Sequence, residues 1–272
     1  MPELPEVETI VRSLRNGGRG QPALLGRKVG SVSLHWARTL AEPSAEEFSS
    51  RLPGQVFRTI ERRAKYLVLG LDRDFMLVHL RMSGDLRVEP EGQAQQVHDR
   101  LVLHLTDDMR LVFNDARKFG RVWLVSDAQS VLAGLGPEPF DASLDATLFN
   151  RMLQGQHRQI KPLLLDQTFI AGIGNIYADE ALHTAGVNPL TPSNQISALK
   201  GAILLDAIRE VLQAGIERNG ASFDWVYRGG EYQNQFRVYQ RTGEPCPVCG
   251  APIERRVIGQ RSAHFCPLCQ PL

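Results

Sequence analysis

The sequence predicts an α+β protein in three parts: a β-rich N-terminal part behind one helix, a helical middle part and a C-terminal hairpin that carries the cysteines. Three patterns support this prediction. Short apolar runs fill the first half, apolar residues recur every three to four positions in the second half, and all four cysteines follow residue 245. The 272 residues suit two domains and a small addition, at about 150 residues per domain.

One amphipathic helix opens the N-terminal part, and β-strands follow it. Four apolar residues share one face of this helix: Val7, Ile10, Val11 and Leu14. From residue 28 to about residue 125, short apolar runs alternate with turns, as in a sandwich or a barrel. The polar segment 89–96 predicts a flexible loop inside this region.

A Gly/Pro-rich segment at residues 134–139 predicts a linker, and helical periodicity follows from about residue 144 to residue 219. Residues 220–237 are rich in Gly and Gln, which predicts a mobile loop. We therefore place the domains at residues 1–135, 140–236 and 237–272.

The composition excludes several classes of protein. With 43% hydrophobic and 22% charged residues, the chain is neither disordered nor a collagen-like or coiled-coil rod. A spanning helix needs about 18 consecutive apolar residues, and the apolar stretch 66–80 is interrupted by Asp72 and Asp74. The N-terminus lacks a secretory signal, so we expect a cytoplasmic protein. The net charge is +1, yet residues 237–272 hold five arginines and two glutamates, which suits a polyanionic partner.

The four cysteines predict a structural zinc site. Cys246, Cys249, Cys266 and Cys269 form two Cys-Pro-x-Cys pairs separated by sixteen residues, a spacing typical of zinc ribbons. The alternatives are two disulfides or four unligated thiols, and disulfides suit poorly a chain without an export signal. Four thiolates leave no open position for a catalytic water, so one Zn²⁺ ion would be structural.

The N-terminus offers a nucleophile. Removal of Met1 would leave Pro2 with a free secondary amine, and an α-amino group titrates near 7.7–8.0, far below a lysine side chain. The positive end of the following helix would favour its neutral form further. Such an amine can attack a carbon electrophile and form an iminium, with Glu3 as general acid or base. The alternative is that Pro2 and Glu3 only start the helix.

Two further features suit a phosphate backbone. Gly172 and Gly174 form a tight turn before Asn175, and a helix N-terminus there would attract an anion. Basic turns place charge beside the apolar residues Met82 and Phe119, a combination that holds phosphates and enters a base stack. Each feature alone also fits an ordinary turn.

The motifs together resemble those of bacterial formamidopyrimidine-DNA glycosylase, the 8-oxoguanine repair enzyme. They are Met1–Thr9, Arg63–Leu67, Leu80–Gly84, Gly172–Ala178 and the four-cysteine finger, in this order over nearly the whole chain. The resemblance implies a β-sandwich, a helix–two-turn–helix domain and a zinc finger, with duplex DNA between the two halves.

The resemblance also assigns residues. It implies four catalytic residues. Pro2 would be the nucleophile that attacks C1′ of the damaged nucleotide, and Glu3 would be the general acid or base. Lys65 would contact a phosphate and assist elimination, and Arg261 at the finger tip would bind the phosphates of the flipped nucleotide. The remaining DNA contacts that it implies are His98, Arg117, Lys161, Asn175, Tyr239, Met82, Phe119 and Arg158. Among these, Met82, Arg117 and Phe119 would fill the gap in the duplex, with Arg117 facing the orphaned cytosine. Glu6 and the 220–237 loop would contact the everted base.

Two positions depart from the family pattern. Ala116 stands where the family often has proline, and residues 156–159 carry only one definite positive charge, at Arg158.

We therefore expect a monomeric bifunctional glycosylase and AP lyase that acts on oxidised purines and abasic sites in double-stranded DNA, cleaves by β,δ-elimination and has no membrane association. The alternatives are an endonuclease VIII-type enzyme for oxidised pyrimidines and a non-enzymatic zinc-containing DNA-binding protein.

Overall fold

The computed structural model describes residues 1–222 and 229–272, which form two compact units. Unit 1 comprises Met1–Ala133 and the described part of Ala221–Gly230, and unit 2 comprises Gly134–Gly220 and Glu231–Leu272. Within these two described ranges, no helix combines the length and the apolar character needed to cross a membrane. The three-part division at residues 135, 140 and 237 stays a prediction.

Unit 1 is a helix followed by a β-sandwich, as the sequence and the resemblance predict. Its elements are α1 (Leu4–Asn16), β1 (Val29–Leu34), β2 (Leu40–Glu42), α2 (Ala45–Arg51), β3 (Thr59–Arg63), β4 (Tyr66–Gly70), β5 (Phe75–His79), β6 (Gly84–Pro90), β7 (Asp99–Leu105), β8 (Met109–Asp115), β9 (Arg121–Val125) and α3 (Gln129–Leu132). One sheet has the order β1-β7-β8-β6 and the other β2-β9-β5-β4-β3. Neighbouring strands are antiparallel except β2 and β9.

The apolar face of α1 anchors the N-terminus to the sandwich. Val7, Ile10, Val11 and Leu14 are fully buried in one cluster with strand residues of both sheets. Burying each such side chain contributes about 1.5–3 kcal/mol. The helix therefore holds the residues just before it, where the predicted nucleophile lies, on a rigid base.

The predicted flexible loop 89–96 is partly wrong, because β6 extends to Pro90 and pairs with β8. Buried charges explain the strand. Arg87 donates to Glu89 at 2.7 Å and to Asp99 at 2.9 Å, and Arg110 donates to Glu89 at 2.6 Å. Buried ions need such partners, and a pattern of alternating polar residues does not reveal them.

Unit 2 combines four helices with a C-terminal hairpin. The helices are α4 (Ala146–Gln154), α5 (Ile160–Leu164), α6 (Asn175–Ala185) and α7 (Ala198–Glu217). The hairpin strands are β10 (Glu254–Ile258) and β11 (Arg261–Phe265). The predicted linker 134–139 is a tightly packed part of this unit. A Cβ atom at Gly136 would lie 2.5 Å from the Thr168 carbonyl oxygen, and Arg209 donates to the Pro139 carbonyl at 2.7 Å.

The predicted mobile loop 220–237 is partly structured. Residues 223–228 lie outside the described residues, whereas Tyr232–Gln235 form a 3₁₀ turn. Tyr232 is buried and stacks on Tyr177 with ring centroids 5.1 Å apart. This stacking fixes the end of the segment, and Gly/Gln composition does not predict it.

Candidate functional site

Pro2 and Glu3 lie at the capped start of α1. Pro2 is buried behind the half-exposed Met1. Glu3 is the N-cap residue, and it forms a capping box with Glu6, in which each side chain accepts from the other residue's backbone N–H. The bond from the Glu3 N–H to Glu6 Oε2 is 2.7 Å long. The Glu3 carboxylate therefore lies at the positive end of the helix, beside Pro2.

Glu6 was predicted to contact the everted base, but its carboxylate is only 2% exposed. While Oε2 accepts from Glu3, Oε1 accepts from the Ala221 backbone N–H at 2.8 Å. Next to Ala221, the Ser222 hydroxyl donates to the Gly230 carbonyl and accepts from the Gly230 N–H, both at 2.8 Å. Glu6 thus joins the start of α1 to Ala221, in the segment that was predicted to contact the base.

Lys65 lies in the two-residue turn between β3 and β4. Arg63 pairs with Tyr66 in register, and Ala64 adopts the left-handed region with φ of 52°. That conformation costs alanine about 1–2 kcal/mol, and the antiparallel pairing on both sides maintains it. Lys65 is only 4% exposed.

His79 lies at the end of β5 and holds the turn that follows. Its Nδ1 accepts from the Arg81 backbone N–H at 3.0 Å, and its ring meets the Tyr66 ring edge-on at 4.7 Å. Burial, together with the smaller effects of the Arg81 and Lys65 charges, lowers the pKa of His79 to about 3. The imidazole is therefore neutral, which its role as an acceptor requires.

The three residues predicted to fill the gap in the duplex lie on two turns of unit 1. Met82 is 39% exposed on the turn before β6, and Phe119 is 50% exposed on the turn after β8. Arg117 is exposed on the same turn as Phe119, and its guanidinium carbon lies 5.2 Å from the centroid of the Phe119 ring. Two apolar side chains and one cation thus project from turns whose backbones are held by neighbouring strands.

His98 lies just before β7 and is exposed. A hydrogen bond of 3.2 Å joins its Nδ1 to the Arg100 guanidinium. This bond orients the exposed His98 ring.

In unit 2, the glycine turn opens α6 as predicted. Gly172 has φ of 104°, which excludes most side chains, and Gln167 accepts from the Gly172 N–H at 2.9 Å. Asn175 is the first helical residue, and its buried Oδ1 has no hydrogen-bond partner among the described residues. A buried polar atom without a partner indicates a missing ligand or water.

Lys161, predicted to contact phosphate, is fully buried. Its ammonium donates to Asp179 Oδ1 at 2.5 Å and also to the Ser262 carbonyl on β11. The other Asp179 oxygen accepts from the backbone and ring nitrogens of His264, both at 3.0 Å. The structure therefore places Lys161 beneath the hairpin rather than at a surface.

Glu180, beside Asp179 on α6, holds the segment that enters the finger. It accepts backbone N–H groups from Arg237 at 2.8 Å, Val238 at 3.0 Å and Tyr239 at 2.8 Å. Burial raises the pKa of Glu180, and the three donors act in the opposite direction. Tyr239 is half-buried, with its ring edge-on to His264 at 5.1 Å.

Arg261 is the first residue of β11 and is exposed. Gly259 and Gln260 form the preceding turn, with φ of 55° and 63°. A Cβ atom at Gly259 would lie 3.2 Å from Pro162 Cγ, so the tip rests on α5. Arg158, another predicted DNA contact, forms a partly exposed ion pair with Asp166 at 2.6 Å.

The four cysteine sulfurs form one cluster. All four lie within 4.8 Å of one another, with Cys246 and Cys269 3.8 Å apart and Cys249 and Cys266 3.4 Å apart. A tetrahedron with Zn–S bonds of about 2.3 Å has edges of about 3.8 Å, whereas a disulfide bond is about 2.05 Å long. Burial acts to raise the pKa of Cys246, but N–H donors from Val248 and Cys249 and hydrogen bonds with the Cys266 and Cys269 thiols together lower it to about 7.

Sequence reasoning missed the groups that support these side chains. His79, Asp115, Asp179 and Glu180 are all buried titratable residues with backbone partners. Asp179 and Glu180 are adjacent acids in an otherwise apolar helical stretch. That pattern was a usable signal, because buried carboxylates need specific donors.

Three family models match the chain. Residues 1–122 match the formamidopyrimidine-DNA glycosylase N-terminal domain, residues 135–225 the H2TH domain of the same enzyme, and residues 243–272 a zinc finger found in FPG and IleRS. The chain belongs to the formamidopyrimidine-DNA glycosylase family. The predicted family and fold class are thereby confirmed, and Cys246, Cys249, Cys266 and Cys269 bind one structural zinc ion.

Similar proteins cover the full length of this family member. The formamidopyrimidine-DNA glycosylase of Chloroflexus aurantiacus is 48% identical over 282 residues, covering 99% of this chain and 98% of the relative. The Lactococcus lactis Fpg in complex with DNA containing an abasic site is 36% identical with a TM-score of 0.91, covering 100% of both chains. A MutM in complex with DNA containing carbocyclic 8-oxo-G is 37% identical with a TM-score of 0.91, again over 100% of both chains.

The neutral state of His79 predicts an acid sensitivity of this glycosylase fold. Because the folded pKa of about 3 lies below the unfolded value of 6.5, the unfolded state binds the proton first as pH falls. The contribution of His79 to the free energy of unfolding should therefore be largest above pH 6.5 and should decrease as the pH falls below it. From pH 6.5 to 5.5, wild type should lose about 1 kcal/mol more unfolding free energy than His79→Gln.

Urea unfolding at both pH values measures this difference. The exposed His35→Gln variant serves as the control and should follow wild type. An equal acid response in wild type and His79→Gln would contradict the assignment.

Proposed function

We propose that this chain removes 8-oxoguanine and formamidopyrimidines from duplex DNA and then cleaves the strand at the resulting abasic site. The observation that carries the proposal is the N-terminus. Pro2 adjoins a buried acid, Glu3, at the capped end of a helix that is fixed to the sandwich. Family membership supports the glycosylase and lyase activities, and the solved relatives hold DNA with an abasic site or an 8-oxo-G analogue.

The chemistry begins once Met1 is removed. The Pro2 nitrogen forms a bond to C1′, and the C1′–N9 bond breaks, so that its electron pair leaves with the base. The base takes up the proton that the Pro2 nitrogen loses, which leaves the nitrogen with an electron pair for the iminium. Glu3 protonates O4′ as the sugar ring opens, which leaves an iminium between Pro2 and C1′. The iminium acidifies the C2′ hydrogens, so loss of a proton expels the 3′ phosphate and a second elimination expels the 5′ phosphate. Water then hydrolyses the iminium and restores Pro2.

The other predicted site residues would hold the DNA. We propose that Lys65, Asn175 and Arg261 bind phosphates around the extruded nucleotide, and that the buried Asn175 Oδ1 without a partner is completed there by ligand or water. His98, Tyr239 and Arg158 would be further backbone contacts.

Met82, Arg117 and Phe119 would occupy the gap that extrusion leaves, with Arg117 facing the unpaired cytosine. Extrusion costs a few kcal/mol, and side chains that fill the gap partly offset this cost.

Two residues take other roles in this proposal than the sequence predicted. Lys161 positions the hairpin that carries Arg261, because its ammonium is buried against Asp179 and the Ser262 carbonyl. Glu6 positions the segment that begins at Ala221 rather than reading the base itself.

We propose a cytoplasmic, nucleoid-associated location and a monomeric state. The substrate supports the location, since chromosomal DNA is there. The zinc ion would act only through the finger, by holding Arg261.

The choice of lesion can be tested with two duplexes. Single-turnover excision should be at least about tenfold faster for 8-oxoguanine opposite cytosine than for thymine glycol opposite adenine, because Arg117 would face cytosine. An undamaged duplex is the control. A preference for thymine glycol would instead indicate an endonuclease VIII-type enzyme.

The nucleophile can be tested by borohydride trapping on the 8-oxoguanine duplex. Wild type without Met1 should give a covalent adduct, and Pro2→Gly or retention of Met1 should suppress it, since the secondary amine is then lost. Lys65→Ala should reduce the yield less. Mass spectrometry of the intact N-terminus confirms the processing state. A normal yield in Pro2→Gly, or binding without any adduct in wild type, would overturn the mechanism.

The role of Lys161 can be tested with a double-mutant cycle. Lys161→Met and Arg261→Ala should each weaken binding to an abasic-analogue duplex, and the double variant should be no weaker than the worse single variant. Substitutions of two residues that act through each other change the binding free energy by less than the sum of their single effects, whereas substitutions of two independent phosphate contacts would be additive. Arg158→Ala combined with Arg261→Ala serves as the additive control. Additive loss in the Lys161 cycle would restore direct phosphate contact.

A further inference from the structure

Asp115, the last residue of β8, has a carboxylate that is hydrogen-bonded to the turn that carries Met82 and to the turn that carries Phe119. The side chain is 1% exposed. Oδ1 accepts from the Ser83 hydroxyl and from the Arg117 N–H at 3.2 Å, and Oδ2 accepts from the Gly120 N–H at 2.7 Å. Ser83 follows Met82, and the Arg117 and Gly120 amides flank Phe119. One carboxylate therefore holds the two turns whose side chains would fill the gap in the duplex.

The backbone of Asp115 extends the same connection to a third segment. Its N–H donates to the His98 carbonyl at 2.9 Å, and its carbonyl accepts from Arg100 Nε at 2.8 Å. Arg100 also meets the His98 ring, at 3.2 Å. Asp115 therefore uses its backbone N–H, its carbonyl and both side-chain oxygens to join segments that carry predicted DNA contacts.

Two glycines allow the turns to approach this carboxylate. A Cβ atom at Gly84 would lie 2.6 Å from the Leu80 carbonyl oxygen, and one at Gly120 would lie 2.4 Å from Phe113 Cζ and 3.1 Å from Asp115 Oδ2. These distances leave no room for any side chain. The backbone around Asp115 is packed as tightly as a protein interior, although the side chains above it are exposed.

Exposed side chains that enter a base stack need such support. Met82 and Phe119 are 39% and 50% exposed, so packing against their own unit does not fix them. If the turns were flexible, ordering them would reduce the free energy gained on binding DNA. A buried carboxylate that accepts several N–H and O–H donors orders the turns during folding instead.

We propose that Asp115 is a positioning residue that sets Met82, Arg117 and Phe119 as one rigid wedge before DNA binds, and that orients His98 through Arg100. This inference rests on the proposed gap-filling role of the wedge. Asp115 itself would touch neither the DNA nor the reacting atoms.

The test compares a substrate that has a gap to fill with one that has none. Asp115→Asn keeps the shape but removes the charge and turns one acceptor into a donor facing N–H groups. Single-turnover excision of 8-oxoguanine from duplex should fall by about tenfold to a hundredfold. Borohydride trapping on a single-stranded abasic oligonucleotide should stay within about twofold of wild type, because a single strand has no stack to re-enter.

A fluorescence measurement reports the wedge directly. With 2-aminopurine beside an abasic analogue in a duplex, wild type should unstack the probe and raise its emission at saturating protein. Asp115→Asn should lose most of this rise. A role limited to stability would leave the emission at saturation unchanged.

Asp74→Asn provides a matched control. Asp74 is another buried carboxylate of unit 1, 6% exposed and hydrogen-bonded to Arg51 at 2.6 Å and Gln55 at 2.7 Å. It should lower stability without separating the duplex and single-strand activities. If Asp115→Asn does not fold, Ser83→Ala removes one donor of the same network and should give a smaller defect of the same kind.

The outcomes separate this inference from the function on which it rests. A duplex-specific defect in Met82→Ala and Phe119→Ala, shared by Asp115→Asn, supports the proposal. The same defect in the two wedge variants but not in Asp115→Asn, or in Ser83→Ala if Asp115→Asn is unfolded, overturns it. The absence of any duplex-specific defect in Met82→Ala and Phe119→Ala overturns the gap-filling role itself.

Discussion

The contact between Asp179 and the hairpin organises the functional part of unit 2. A buried carboxylate is stable only when donors replace its lost hydration, and Asp179 receives the Lys161 ammonium and both donors of His264. Glu180, one residue later, receives three backbone amides from the other end of the finger. Both ends of the zinc module are thus fixed to α6, the helix that begins at Asn175. Asn175 at the start of this helix and Arg261 at the finger tip consequently share one rigid support.

Unit 1 applies the same physical rule with different residues. Glu6 uses both carboxylate oxygens to join the start of α1 to Ala221, and Asp115 joins the turns that carry the wedge. In each case the side chain suited to chemistry or contact is exposed or terminal, and a buried acid fixes its backbone. Neutral His79 has the corresponding role for the turn at Arg81. Several residues with a proposed function are therefore oriented by other residues that are buried.

This separation explains what could be read from the sequence. The cysteine spacing defined the zinc site because metal geometry depends on ligand type and local spacing, and the apolar face of α1 followed from helical periodicity. The burial of Lys161, which was predicted as a phosphate contact, could not be foreseen because its partners are 18 and 101 residues away along the chain. The loop 89–96 was predicted to begin too early because the polar sequence does not show that Glu89 pairs with Arg87 and Arg110 inside the protein. Residues 223–228 lie outside what the structure describes.

The ion network of β6, β7 and β8 has a consequence for heat resistance. Arg87, Glu89, Asp99 and Arg110 are linked by short charge-assisted bonds beside the strand that begins next to His98. Water solvates ions less favourably as temperature rises, so removing such charges from water becomes less costly on warming. The sheet whose strand β7 follows His98 is accordingly held by interactions that keep their strength at high temperature, where apolar packing gains little more.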